Sequence, residues 1–116
     1  MDAAEFLIRE KYTNPNKLAI NGGSHGGLVV GAAMTQRPEL FKIVISEMGR
    51  LDMATLDKYT SGIHHFDEYG NPNNKEEFQA LISYSPYHTI KEDINYPTCL
   101  IITSENDDRV PPFQSY

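Results

Sequence analysis

The chain has 116 residues, 16 acidic and 10 basic, and a net charge of −6. This length suits one small domain, and with no basic cluster the chain is not built to grip nucleic acid. Its apolar runs are too short to cross a bilayer, and a 40% hydrophobic content fits a packed chain rather than a disordered one.

In chain order, Asp2 to Tyr12 reads as a helix. Asp2 and Glu5 stand at capping-box spacing, Ala3, Phe6 and Leu7 share a face, and the Thr13-Asn14-Pro15-Asn16 turn ends it. Neither a basic leader nor a long apolar segment follows Met1, so nothing reads as a secretory signal. Lys17 to Asn21 reads as a short strand feeding Gly22-Gly23-Ser24-His25-Gly26-Gly27, and His25 to Arg37 as the helix beyond. Phe41 to Ser46 and Thr98 to Thr103 are continuous apolar runs, as expected of parallel strands covered on both faces. Between them, Gly49 to Tyr59 reads as a turn and short helix capped by Asp52. Thr60 to Asn74 reads as an irregular loop, of a length that tends to be functional. Asn74 to Tyr84 reads as a helix capped by Asn74, and Ser85 to Tyr96 as a surface connection. The order is that of an α/β fold with right-handed crossovers. The one cysteine, Cys99, lies in an apolar run and is expected to be buried and inert.

The chemistry centres on Gly22-x-Ser24-x-Gly26, the pattern of a nucleophile elbow. A serine on a sharp strand-to-helix turn stands clear of the backbone, and glycines two positions either side avoid Cβ clashes. The free N–H groups of the following helix then stabilise an anionic intermediate where it forms. A flexible glycine loop or a phosphate-cradling turn shows the same string, but no Gly-Lys-Ser or Gly-Lys-Thr is present. The polar loop Glu105-Asn106-Asp107-Asp108-Arg109 follows the last strand, where ligands bind in open α/β sheets. Asp107, 83 residues after Ser24, is a candidate to orient a catalytic histidine; a capped turn of solvated acids fits the spacing as well. His64, His65 and His88 read as solvated surface without zinc-ligand spacing, so no metal or other cofactor is expected.

Gly-Gly-Ser-His-Gly-Gly-Leu, Thr-Gln-Arg-Pro-Glu-Leu-Phe, Leu-Asp-Met, Lys-Tyr-Thr, Glu-Tyr-Gly, Tyr-Ser-Pro and Asn-Asp-Asp-Arg-Val together resemble the prolyl oligopeptidase family of serine peptidases, in one register along the chain. The resemblance implies an α/β-hydrolase fold and hydrolysis of short peptides after proline by Ser-Asp-His acyl-enzyme chemistry. It implies Ser24 as nucleophile, Asp107 as triad acid and the His25 backbone N–H as an oxyanion donor. It also implies Arg109 on a substrate carbonyl, with Tyr69 and Val110 lining the proline pocket. Three positions depart from the family: His25 stands where Asn or Ala is usual, His65 where a tryptophan is expected, and Arg50 where the pocket is apolar. A guanidinium in an apolar pocket needs a partner, with Glu47 a candidate, and Arg50 and His65 are expected to remodel the pocket.

The family's triad histidine has no counterpart after Asp107. That histidine, an upstream oxyanion tyrosine and a substrate-screening propeller are expected to lie outside these residues. Residues 1–116 are accordingly read as a partial α/β-hydrolase catalytic domain, inactive alone. Its partners would be a short peptide substrate and the missing remainder of its own protein. A related hydrolase (a basic-specific oligopeptidase or an esterase) and a non-catalytic product associating through an open sheet are the alternatives.

Overall fold

In the computed structural model, which describes residues 1–116, three parallel strands form one sheet in the order β1-β2-β3. They are β1 (Ala19–Gly23), β2 (Ile43–Glu47) and β3 (Thr98–Ile102). The strands end level, with Gly23 opposite Glu47 and Glu47 opposite Ile102. The ladder runs one residue further on each side: Ser24 N–H donates to the Glu47 carbonyl at 2.9 Å, and Met48 N–H to the Ile102 carbonyl at 2.6 Å. Everything that follows a strand therefore emerges on one rim, which is where an open α/β sheet places its ligands.

Helix α2 (His25–Gln36) lies across one face and joins two cores. Leu28 packs with Met53, Leu56, Tyr59 and Leu81, while Val30 packs with Leu40, Phe41 and Val44. Helix α1 (Asp2–Arg9) adds Ala4 and Ile8 to the second core. It stops three residues short of Tyr12 and has no capping box. Met1 is its cap residue without a side-chain bond, and the Glu5 carboxylate pairs with Arg37 at the end of α2 instead. Tertiary pairing took the acid that the local motif needed.

The stretch from 60 to 74 is more ordered than its composition suggests. It forms two four-residue helices, α3 (Thr60–Ile63) and α4 (Phe66–Tyr69). Asn74 caps α5 (Lys75–Tyr84) as read, accepting from the N–H groups of Glu76 and Glu77, and Leu81 anchors the helix in the first core. Residues 85–96 are likewise not a plain surface connection. Ser85 and Pro86 are buried at the start of α6 (Pro86–Thr89), and His88 Nδ1 lies 3.0 Å from Ser85 Oγ and 3.6 Å from Asp52 Oδ1. Asp52 caps the 3-10 helix Met53–Lys58, as its position predicts.

The expectation that both sheet faces are covered is not met. On the face away from α2, Ile43, Leu100 and Ile102 are 39%, 51% and 41% exposed. β3 is exposed along its whole length, and Cys99 is exposed rather than buried. An apolar run reports what a strand needs covered; in these residues α2 reaches β1 and β2, and nothing reaches across to β3. A groove of about 310 Å³ runs beside it, lined by Val44, Leu51, Ile90, Cys99 and Ile101. Neither Ser24 nor Asp107 lines this groove.

Candidate active site

Ser24 sits between β1 and α2 with φ 56° and ψ −116°, a conformation that costs a side-chain-bearing residue roughly 1–3 kcal/mol. Its neighbours hold it there. Its N–H is bound to Glu47, and its carbonyl accepts the first bond of α2, from Leu28 N–H at 3.2 Å. The N–H groups of His25, Gly26 and Gly27 precede that bond and have no partner within the helix, so the start of α2 offers donors beside the half-exposed Ser24.

The glycine requirement differs from the expected symmetric one. A Cβ on Gly22 would meet the Gly26 carbonyl oxygen at 2.2 Å, so Gly22 is obligatory. A Cβ on Gly26 would meet nothing within 4 Å. The second tight position is Gly27, which faces Gly49 and Ser46. In these residues, close helix–strand approach restricts Gly27, whereas side-chain space does not restrict Gly26.

The side chain of His25 turns towards α4. Its Nδ1 lies 2.5 Å from the Tyr69 hydroxyl, and the two rings stack at 5.5 Å. His65 stacks on Tyr69 at 5.9 Å and bonds through Nδ1 to the Ser61 carbonyl at 2.5 Å, so it is a placed residue rather than solvated surface. Arg50, on the loop leaving β2, is only 3% exposed. It donates from Nη1 to the Tyr69 hydroxyl at 3.1 Å and from Nη2 to Ser61 Oγ at 2.7 Å. Glu47 is not its partner, because that carboxylate accepts from the Asn21 amide at 2.7 Å. Ser24, His25, Arg50, His65 and Tyr69 thus belong to one contiguous group. Ser61 also belongs to it, and nothing in the sequence signalled that serine.

Asp107 lies on the same rim, in the loop after β3. Its Oδ1 accepts the N–H groups of Arg109 at 2.9 Å and Val110 at 3.0 Å, and the Arg109 Nε stands 3.8 Å away. These contacts, led by the Val110 N–H, hold the carboxyl below its usual range although its side chain is 6% exposed. All of them fall on Oδ1, so the carboxylate is fixed and ionised with Oδ2 left over. Val110 is buried and the Arg109 side chain is 74% exposed. No hydrogen bond or ion pair joins this loop to the Ser24 group.

The sequence profile of the prolyl oligopeptidase family matches residues 1–116. The chain belongs to the prolyl oligopeptidase family. It is 47% identical over 115 residues to a prolyl endopeptidase of Dictyostelium discoideum, covering 98% of this chain and 15% of that protein. A prolyl endopeptidase of Elizabethkingia miricola is 44% identical, with 98% and 16% covered. Among solved structures, a post-proline cleaving enzyme from Rickettsia typhi superposes with a TM-score of 0.93 at 40% identity, over 97% of this chain and 16% of that one. The parallel sheet with flanking helices is accordingly part of an α/β-hydrolase fold. This member of the prolyl oligopeptidase family spans about one sixth of the length of such relatives.

Proposed function

We propose that residues 1–116 form part of the catalytic domain of a serine peptidase that hydrolyses short peptides after proline. The observation that carries this reading is the strained Ser24 elbow on the rim that also holds the fixed Asp107 carboxylate. In the complete protein, Ser24 Oγ attacks the peptide carbonyl and passes its proton to a histidine outside these residues. Asp107 orients that histidine and stabilises its charged form. The developing oxyanion sits against the His25 N–H, the leaving amine takes the proton from the histidine, and water then releases the acyl group. Arg109 is assigned to a substrate carbonyl, and Tyr69, Val110, Arg50 and His65 to the pocket.

The relatives' names, which describe cleavage after proline, support the substrate class. The test is kcat/KM of the complete protein on proline-containing peptides. Ser24→Ala should lower kcat by roughly 10⁴- to 10⁶-fold, and Asp107→Asn by roughly 10⁴-fold. Retention of the rate in Ser24→Ala would overturn the reading. The 116-residue chain itself should not label rapidly with a fluorophosphonate, because none of its histidines is bonded to Ser24.

A further inference from the structure

We infer that Gln114 is a positioning residue for Asp107: its side chain anchors the acid loop and so sets where the carboxylate stands. The inference rests on the peptidase reading above and adds a residue to its machinery. Gln114 closes a single 3-10 turn, Pro112–Gln114, and is 3% exposed. Its Oε1 accepts the Asp52 N–H at 2.9 Å, and its Nε2 donates to the Asp52 carbonyl at 3.3 Å and to Thr55 Oγ1 at 2.7 Å. A backbone N–H only donates, so the Asp52 N–H fixes which end of the amide is oxygen. Thr55 Oγ1 donates its own proton to the Asp52 carbonyl at 3.0 Å, which leaves its oxygen to accept. Both amide protons and the amide oxygen of Gln114 are therefore used.

These bonds are the only polar ties of the acid loop. Residues 103–116 send no other hydrogen bond and no ion pair to the rest of the chain; their remaining hydrogen bonds close within the segment. Phe113 adds one edge-on ring contact, to Tyr59 at 6.0 Å.

The path from this anchor to the carboxylate is short and stiff. Pro111 and Pro112 have a fixed φ, and the Gln114 N–H closes the turn on the Pro111 carbonyl at 3.0 Å. Val110, just before Pro111, is 2% exposed, and its N–H holds Asp107 Oδ1 at 3.0 Å. A shift of Gln114 is thus passed on to Asp107. The other end of the anchor is as well placed. Asp52 lies on the segment that leaves β2 at Glu47, and the Glu47 carbonyl holds the Ser24 N–H at 2.9 Å. Gln114 therefore ties the acid after β3 to the same segment that holds the nucleophile. A misplacement of about 1 Å in such a site costs about a hundredfold in rate.

The test uses the complete protein and a proline-containing peptide. Gln114→Met keeps the side-chain length and removes all three bonds. It should lower kcat by about tenfold or more, with a smaller change in KM, and slow fluorophosphonate labelling of Ser24 by a similar factor. In an Asp107→Asn background the same substitution should cost less than about twofold, because a residue acting through the carboxylate has nothing left to position. Thr55→Val removes the 2.7 Å contact and should act in the same direction more weakly; it carries the same two readings if Gln114→Met does not fold. An unchanged kcat, or an equal loss in both backgrounds, overturns the inference and leaves the peptidase reading intact. Absence of both cleavage and labelling in the unsubstituted complete protein overturns the two together.

Discussion

The Cα of Gly49 lies 2.5 Å from where a Cβ on Gly27 would stand. Ser46 Oγ completes the contact, 3.0 Å from the same point and bonded to the Gly27 carbonyl at 3.3 Å. This contact sets the spacing between the first turn of α2 and the loop that carries Arg50. Gly27→Ala should destabilise the protein by about 1–3 kcal/mol, while Gly26→Ala should change stability little, since space around it is open. Urea denaturation of the two variants checks this, and equal losses would contradict it.

Ser24 stores strain that its side chain does not repay, for it makes no capping bond to α2. Ser24→Gly should therefore raise stability by about 1 kcal/mol or more, and Ser24→Ala should not, because alanine meets the same backbone penalty. Thermal melts of both variants separate strain from loss of the hydroxyl. A stabilised Ser24→Ala with an unchanged Ser24→Gly would count against it.

Asp107 ties stability to pH. Its folded pKa lies below its unfolded one, so its contribution is complete above the unfolded value, roughly 3.9, and is lost as pH falls through the folded value. Asp107→Ala leaves two loop N–H groups without their acceptor and should cost about 1–3 kcal/mol at pH 7. The gap to the unsubstituted protein should narrow below about pH 4. Denaturation at pH 3, 5 and 7 reads it, and a gap that widens on acidification would refute the assignment.

The uncovered sheet face has a cost of its own. Leu100 and Ile102 are 51% and 41% exposed on that face, on a strand with one edge unpaired, a surface that promotes association. The 116-residue chain alone should self-associate at micromolar concentration, and Leu100→Lys should shift it towards monomer. Light scattering against concentration is the measurement, and a monodisperse monomer of the unsubstituted chain would contradict it.

The elbow was legible in the sequence because Gly-x-Ser-x-Gly states a backbone requirement directly, and the Asn74 and Asp52 caps were legible for the same reason. All three strands were found, but β1 and β2 each start two residues later than the expected runs and end beyond them. Gly22 and Gly23 carry ladder bonds that an apolar pattern cannot announce. The partners of Arg50 were not legible. Ser61 and Tyr69 sit on helices of four residues, too short to show a period, and Glu47, the acid expected as the partner, binds Asn21 of the neighbouring strand instead. The exposure of Cys99 was hidden because apolar character tells which atoms avoid water and nothing about what covers them. Membership of the family was legible from linked short motifs, and residues 1–116 match its profile.

Ser24 and Asp107 stand just past β1 and β3, on either side of β2, while Arg50, Ser61, His65 and Tyr69 all belong to the excursion between β2 and β3. The proposed hydroxyl and carboxylate and most of the proposed pocket groups thus lie in separate parts of the chain. Transplanting the excursion from one relative into another would exchange those groups together and leave the spacing of hydroxyl and carboxylate to the strands alone.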